Sequence, residues 1–365
     1  MKILIDARTL GKRPSGVGMY LYNFICGLMQ YEELQIELLT DVTESPEIRK
    51  LSEAHIPIHS YGKLIEKSVG VYAYFRFVQK QIDKVKPDVF WEGNNLIPVM
   101  LKNPYGKIIV TVHDVFPITD PFAYGKVYQL YFRWNMRKTI KNVDAVIYNS
   151  KDTEHNVEKY YPLAQKRESY ISYIITEEIP DNRIEDKGYF LYIGNLEERK
   201  GTDLLLKAYM EYRKNGGQKE LYLAGKMRSE QVKLLAEEAQ EKTQTVHYLG
   251  YIDKETKYQL YAGCSAFLFP SKAEGFGMPV IEALAYQKKV LVSDLAIFHE
   301  IAGDAVRYFE NRKEESEQIS CLADKMLKLE KSDKIESEKM KETVSRYSCE
   351  ALSEGMRHFL VQLGK

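Results

Sequence analysis

Short apolar runs alternate with longer amphipathic stretches along most of this chain. In the first half, the apolar runs that predict strands lie at residues 2–6, 35–39, 88–91, 107–112 and 144–148. The stretches with helical periodicity lie between them, notably at residues 19–29, 71–85 and 124–140. Because strands of a covered parallel sheet are buried on both faces, this alternation predicts an α/β fold with parallel sheets covered by helices.

A second alternation follows a polar segment at residues 176–187, which contains proline and carries five acids against two bases. Its predicted strands lie at residues 189–193, 221–224, 246–248, 266–269, 289–292 and 306–308. Its predicted helices lie at residues 202–214, 229–242, 254–262 and 279–286. We therefore predict an N-terminal domain over residues 1–175, a linker over residues 176–187 and a second domain over residues 188–346.

The last segment, residues 347–365, contains a helix at about residues 349–363 with an apolar face. That face comprises Leu352, Met356, Phe359, Leu360 and Leu363. An apolar helical face must be buried against another element, and we expect it to pack back on the N-terminal domain.

Composition narrows the class of protein. The chain has 365 residues, of which 44% are hydrophobic, and its 52 basic residues balance 52 acidic ones. This length favours two domains, and charge neutrality argues against nucleic acid as a partner. No apolar run is long enough to span a bilayer, so we expect a cytoplasmic protein. The four cysteines form no Cys-x-x-Cys and are expected to be reduced packing residues.

Metal ligands are scarce in the sequence. His55 and His59 have helical spacing, but no third ligand lies near them, and no Asp-x-Asp pair is present to hold a divalent cation on a diphosphate. We therefore expect no metal site.

The most informative stretch runs from Ser271 to Glu282, where two carboxylates bracket a segment with two glycines and a proline. The pattern predicts a buried strand, a tight glycine turn and a helix with proline at its first position. Unpaired N–H groups at such a helix start can bind a phosphate. Glu274 would stand at the mouth of the turn and Glu282 about one turn into the helix. An ordinary turn with two surface acids is the alternative interpretation.

Three further loops carry polar motifs after predicted strands. They are Pro14-Ser-Gly16-Val-Gly18, Thr111-Val-His113-Asp114, and the loop from Gly194 to Gly201 that contains Arg199 and Lys200. Glycines allow a ligand close to the backbone, a histidine at a strand end can bond a sugar hydroxyl, and paired cations can neutralise a diphosphate. The alternative for the first loop is a plain turn, and the alternative for His113 is a capped structural histidine. The alternative for the loop with Arg199 and Lys200 is a solvated loop.

Taken together and in this order, the motifs resemble family 4 of the retaining glycosyltransferases. The matching segments lie at residues 5–8 with 15–18, 86–88, 148–153, 191–201, 269–282 and 293–303, so the resemblance covers nearly the whole chain. It implies the GT-B fold, which has two Rossmann-like, doubly wound parallel-sheet domains facing across a cleft.

The resemblance also implies roles for individual residues. Lys200, helped by Arg199, would bind the donor diphosphate, Glu274 would contact the transferred sugar, and Glu282 would hold the ribose. The N–H groups at the helix start would meet the sugar and phosphates of the donor, and the residues there are Gly275, Phe276, Gly277, Met278 and Pro279. His113 would lie beside the sugar. Gly16 and Gly18 would let the diphosphate or the acceptor approach the backbone. The sequence departs from the family at Asn195, where arginine is common, and at residues 172–176, which lack its usual turn.

The implied reaction is metal-independent, retaining transfer of a hexose of mannose or glucose type from a GDP- or UDP-linked donor. The acceptor would be a hydroxyl of a glycan or a lipid-linked molecule, in the synthesis of cell-surface polysaccharide or glycoconjugate, and no cofactor is expected. A non-catalytic sugar-nucleotide-binding partner of an active transferase and a GT-B-fold sugar-nucleotide epimerase are alternatives. A glycoside hydrolase is a third, because two glutamates could flank one glycosidic bond.

Residues 101–143 suggest one further partner. They carry seven basic residues against Asp114 and Asp120, a local charge of +5, and aromatic residues are interleaved with the bases. Such a surface could contact anionic lipid at the inner face of the cell membrane. A core helix with a solvated basic face is the alternative.

Overall fold

The computed structural model of this chain describes residues 1–14, 16–65, 71–98, 100–120, 124–175, 185–332 and 337–364. The chain folds as two compact units. Residues 1–175 and 347–365 form the first unit, and residues 176–346 form the second. Most of the predicted linker, at residues 176–184, lies outside the described residues.

The first unit is built on a parallel sheet. Its strands are β1 (Lys2–Asp6), β2 (Gln35–Thr40), β3 (Ile58–Ser60), β4 (Val89–Glu92), β5 (Lys107–Val112), β6 (Ala145–Tyr148) and β7 (Glu168–Ile171). Their order is β3-β2-β1-β4-β5-β6-β7. The chain thus winds outward from β1 in one direction and from β4 in the other, which places a topological switch point between these two strands.

Helices alternate with these strands. They are α1 (Gly16–Leu28), α2 (Pro46–Glu53), α3 (Val71–Val85), α4 (Phe116–Thr119), α5 (Lys126–Asn142) and α6 (Lys151–Tyr160). Serine residues start two of them, because the hydroxyls of Ser45 and Ser150 accept hydrogen bonds from first-turn N–H groups of α2 and α6. A core of strand residues such as Phe90 and Val110 packs against helix residues such as Val78 and Met136.

The second unit has its own parallel sheet. Its strands are β8 (Tyr189–Ile193), β9 (Glu220–Ala224), β10 (Val246–Gly250), β11 (Cys264–Phe269), β12 (Lys289–Ser293) and β13 (Arg307–Phe309), in the order β10-β9-β8-β11-β12-β13. Its helices are α7 (Thr202–Lys214), α8 (Glu230–Thr243), α9 (Lys254–Gly263), α10 (Met278–Ala285), α11 (Ala296–Ala302), α12 (Glu315–Lys331) and α13 (Ser337–Ser345). Here the switch point lies between β8 and β11.

The chain ends in α14 (Cys349–Leu363), which packs on α1 within the first unit. A Cβ on Gly27 of α1 would overlap the hydroxyl of Ser353, so the two helices approach closely only because that residue is glycine. Nearby, the rings of Tyr170 and Phe359 stack with centroids 5.0 Å apart. The apolar face that the sequence places on this helix is therefore covered by residues of the first unit.

The prediction of an α/β fold with two Rossmann-like, doubly wound parallel sheets is confirmed. One local expectation is wrong. Helix α10 begins at Met278, so Pro279 occupies its second position, because Gly277 with φ +97° already ends the preceding turn. His55 follows α2 with φ +64° and His59 lies in β3, so their i,i+4 spacing does not place them on one helical face.

Candidate active site

The site forms where β11 gives way to α10 in the second unit. Strand β11 is buried along its whole length, and the chain then passes through Pro270 and a fully buried Ser271 before reaching Glu274. The turn ends at Gly277, whose left-handed φ of +97° favours glycine. A Cβ on Gly277 would also lie 2.7 Å from the ring of Phe298, so the turn packs directly on α11.

A second loop, between β8 and α7, lies against this turn. Its 3₁₀ helix, Glu198–Lys200, ends at Gly201, which has φ +66°. A Cβ on Gly201 would overlap the carbonyl oxygen of Pro270, and the Lys272 N–H donates to the carbonyl of Arg199 over 2.9 Å. Because β8 and β11 are neighbours at the switch point, their two loops meet at the carboxyl edge of the sheet.

Lys200 and Glu274 form an ion pair between the two loops. The Nζ of Lys200 lies 2.6 Å from Oε1 of Glu274, and the hydroxyl of Ser271 donates to the same oxygen over 2.5 Å. The Lys200 side chain is 17% exposed and that of Glu274 is 7% exposed, so the pair is largely removed from water. The structure thus brings together two side chains that the sequence separates by 74 positions.

Arg199 lies beside the pair and is held by its own contacts. One guanidinium nitrogen lies 2.8 Å from Oε1 of Glu197, and another donates to the carbonyl of Ala273 over 3.1 Å. The backbone carbonyl of Asn195, where the family often has arginine, accepts a hydrogen bond from the Tyr192 hydroxyl over 2.8 Å. The Arg199 guanidinium therefore lies beside Ala273, the residue before Glu274. In the sequence, Arg199 follows Asn195 by four positions.

Glu282 has a separate pair of partners on α9. Its Oε1 lies 2.8 Å from Nζ of Lys257, and its Oε2 accepts a hydrogen bond from the Tyr261 hydroxyl over 2.8 Å. Burial, together with the neighbouring Glu282 carboxylate, raises the pKa of Tyr261, so this phenol stays a donor at neutral pH. The carboxylate is held in place and still has lone pairs that can accept hydroxyl hydrogens.

The other predicted site residues, His113, Gly16 and Gly18, belong to the first unit. The His113 ring is buried, and its Nε2 lies 3.0 Å from the carbonyl oxygen of Gly93. Since a carbonyl can only accept, Nε2 carries the hydrogen and Nδ1 is left as an acceptor. Burial lowers the pKa of His113 to about 4, so the ring is neutral at physiological pH.

The two glycines differ in their surroundings. Gly16 is the exposed first residue of α1, with open space where a Cβ would stand. Gly18 is buried, and a Cβ there would overlap the carbonyl oxygen of Thr9. The structure therefore shows why a side chain does not fit at Gly18, whereas it leaves room for one at Gly16.

Several residues that fix the positions of Glu274 and Glu282 were not predicted from the sequence. Ser271 bonds Glu274, and Lys257 and Tyr261 bond Glu282. The i,i+4 spacing of the last two on α9 was a usable signal, because it places both side chains on one helical face.

A buried charged cluster in the first unit was also not predicted as a site. Asp6 and Glu92, at the ends of β1 and β4, both contact Arg8, and the Tyr74 hydroxyl donates to Asp6 over 3.0 Å. Burial first, and the Asp6 carboxylate second, raise the pKa of Glu92. Neither this cluster nor any other in the described parts of the chain groups three or more His, Cys, Asp or Glu side chains suitably for a metal ion.

Two family models match the chain. The model described as Glycosyltransferase Family 4 matches residues 14–172, and the model described as Glycosyl transferases group 1 matches residues 174–346. The boundary between the two matches falls close to the boundary between the two structural units.

Individual proteins resemble the chain over most of its length. The O-antigen chain mannosyltransferase RfbU of Salmonella typhimurium is 23% identical over 324 residues, which cover 86% of this chain and 88% of the relative. Sucrose-phosphate synthase from Thermosynechococcus elongatus superposes with a TM-score of 0.79 at 16% identity, covering 100% of this chain and 99% of that one. HepE from Anabaena, solved in complex with UDP, gives a TM-score of 0.73 at 15% identity with full coverage of both chains.

Proposed function

This chain belongs to family 4 of the glycosyltransferases, with the GT-B fold, and we propose that it transfers a mannose or glucose residue from a nucleotide diphosphate sugar. The acceptor in this proposal is a hydroxyl of a glycan or a lipid-linked molecule, and the product contributes to cell-surface polysaccharide or glycoconjugate. Two findings support it: the relative RfbU is an O-antigen chain mannosyltransferase, and the structural neighbour HepE was solved with UDP bound.

The observation that carries the proposal is the Lys200–Glu274 pair with Ser271 at the mouth of the β11–α10 turn. As the glycosidic bond to the diphosphate breaks, negative charge grows on the leaving phosphate oxygen. The Lys200 ammonium has three donors, so it can keep Glu274 and also bond that oxygen. The positive end of α10 adds to the stabilisation, and a fixed cation with a helix terminus can carry it without a metal ion.

Glu274 serves the sugar in this scheme. Its Oε1 is taken by Lys200 and Ser271, which leaves Oε2 to accept a hydrogen bond from a hydroxyl of the hexose. Glu282, fixed by Lys257 and Tyr261, would accept from the ribose hydroxyls. In this proposal the two glutamates therefore bind two parts of one donor molecule, the sugar and the ribose, and they do not form an acid–base pair.

In the first unit, the His113 ring can accept a hydrogen bond at Nδ1 from a ligand hydroxyl. Because its Nε2–H is held by the Gly93 carbonyl and its pKa is about 4, the ring does not act as a proton donor at neutral pH. The proton of the acceptor hydroxyl would instead pass to the departing diphosphate on the same face of the sugar. That path keeps the anomeric configuration and is consistent with a retaining reaction.

Where the acceptor is lipid-linked, it is presented at a membrane surface. Peripheral contact of this protein with anionic lipid at the inner face of the cell membrane is therefore part of the proposal. No helix among the described residues is both long and apolar enough to cross a membrane.

A donor screen followed by a transfer assay tests the proposal. GDP-mannose, GDP-glucose, UDP-glucose and their nucleoside diphosphates are screened for protection against thermal unfolding, since a ligand at 100 times its Kd adds about 2.7 kcal/mol. The stabilising donor is then incubated with candidate acceptors, with and without EDTA, and the anomeric configuration of the product is read by NMR.

We expect EDTA-insensitive transfer with the donor's configuration retained. Donor binding without turnover on any acceptor would identify a non-catalytic partner, and an epimerised donor formed without acceptor would identify an epimerase. Cleavage of an oligosaccharide without any nucleotide would identify a hydrolase. Each of these three results contradicts the proposed transfer.

A further inference from the structure

Helix α5 (Lys126–Asn142) presents an apolar strip to solvent. Val127, Leu130, Tyr131 and Trp134 follow the i, i+3, i+4, i+7 spacing of a single helical face, and their exposed fractions are 83%, 69%, 51% and 54%. The opposite face, with Phe132, Met136 and Ile140, is buried in the core of the first unit. Apolar side chains spaced in this way normally pack against another element, so the exposed strip indicates an interaction surface.

Cations flank the strip, and the helix carries no acidic residue. Five basic side chains lie on α5, namely Lys126, Arg133, Arg137, Lys138 and Lys141. Within the described ranges none of the five is paired with a carboxylate, although the Lys138 ammonium lies 5.6 Å from the centroid of the Trp134 ring. Elsewhere on the protein, exposed cations such as Lys233 and Lys242 do pair with acids.

We propose that the outer face of α5 binds the surface of an anionic lipid bilayer, lying in the interfacial plane with its apolar strip among the headgroups. The unpaired cations are complementary to anionic headgroups, and the apolar and aromatic side chains can enter the boundary below them. A second protein copy is the less suitable occupant, because two such faces would bring ten cations and no acid of α5 together. This inference rests on the proposed function for its purpose, since it would hold the enzyme where a lipid-linked acceptor lies.

Trp134 is a built-in reporter for this contact. The chain has two tryptophans, and the other, Trp91, is fully buried with its indole N–H donating to Thr111 over 2.8 Å. Vesicles of phosphatidylcholine alone and of phosphatidylcholine with phosphatidylglycerol are added to the protein, and emission is recorded with and without brominated acyl chains. We expect quenching and a blue shift only with the anionic vesicles, and neither change in the Trp134→Phe variant.

Vesicle flotation with double variants then separates the apolar contribution to vesicle binding from the electrostatic contribution. Leu130→Gln with Trp134→Gln removes the apolar contacts, and Arg133→Gln with Arg137→Gln removes two cations. The matched controls are Leu234→Gln, on exposed apolar surface of α8, and Arg76→Gln with Lys80→Gln, on the exposed face of α3. We expect each α5 pair to lower vesicle partitioning by about tenfold or more, and the controls to leave it unchanged.

Several outcomes would overturn the inference. One is failure of the wild-type protein to float with anionic vesicles, and another is equal flotation of wild type and α5 variants. A change of oligomeric state in the α5 variants without a change in flotation would identify a self-association surface instead. Thermal unfolding confirms that the variants fold, and donor binding measured without vesicles reports on the proposed function separately. A protein that binds donor but not vesicles refutes only the lipid surface.

Discussion

Replacing Lys200 with alanine is the sharpest perturbation of the candidate site. The wild-type ammonium lies 2.6 Å from Oε1 of Glu274 and is preorganised by this ion pair. Losing one preorganised donor to a developing negative charge typically lowers the rate by about 10²–10³, which corresponds to about 2.7–4 kcal/mol of transition-state stabilisation. We expect kcat/KM for transfer to fall by at least that factor.

The same substitution also affects the folded state. It leaves the Glu274 carboxylate, only 7% exposed, without its cation but with the Ser271 hydroxyl. Breaking a fully buried pair costs about 3–5 kcal/mol, but Lys200 is partly exposed and water can enter the vacated space, so we expect about 1–3 kcal/mol. Adding Glu274→Gln should restore stability in urea unfolding, because it removes the stranded charge, while transfer remains lost.

The assay is the initial rate of nucleoside diphosphate release in the presence of acceptor. Lys272→Ala is the matched control, because Lys272 lies in the β11–α10 turn two residues before Glu274 but pairs with Asp203. This control should retain most of the activity. Near-normal transfer by Lys200→Ala, or an equal loss in Lys272→Ala, would remove Lys200 from the mechanism.

Three further predictions concern other parts of the site and its support. Glu282→Gln should raise the KM for the donor by about tenfold with little change in kcat, because it removes a charged acceptor for the ribose; a fall in kcat at unchanged KM would contradict that role. Gly201→Ala should lower the free energy of unfolding by about 1–3 kcal/mol more than Gly216→Ala does. Both glycines have positive φ, but of the two only Gly201 has a backbone carbonyl, that of Pro270, where the new Cβ would stand. Equal losses of stability would refute this close approach. His113 has its pKa lowered to about 4, so its stabilising contribution is present above the unfolded value near 6.5 and is lost as pH falls towards 4. Between pH 7 and pH 5 the wild type should therefore lose about 2 kcal/mol more stability than His113→Gln in urea unfolding, and parallel pH profiles would show that the ring is not buried as a neutral group.

The sheets could be predicted because covered parallel strands read as continuous apolar runs. Strand β11 is one such run, and its burial on both faces leaves few other ways to fold it. Short or half-exposed elements such as β3 and β7 lack that signal, and they were not predicted. The start of α10 was misplaced by one residue because Gly277, with φ +97°, still belongs to the turn and leaves Met278 as the first helical residue, which no local pattern reveals.

Only part of the candidate site could be predicted from the sequence. The glycine turn and its two glutamates form one local motif, but the Lys200–Glu274 pair joins distant loops that meet because β8 and β11 are neighbours in the sheet. The partners of Glu282 depend on how α9 packs beside α10. The close approach of the Thr9 carbonyl to Gly18 was not predicted either, because it depends on how the loop before α1 packs.

Lys200, Glu274 and Glu282 are proposed to hold the donor in the second unit. The decisive measurement is a crystal structure of the protein with an intact, non-transferable donor analogue. We expect Nζ of Lys200 within hydrogen-bonding distance of the diphosphate, Glu274 on a sugar hydroxyl and Glu282 on the ribose. A nucleotide sugar bound away from the β11–α10 turn, with the Lys200–Glu274 pair closed and untouched, would contradict it.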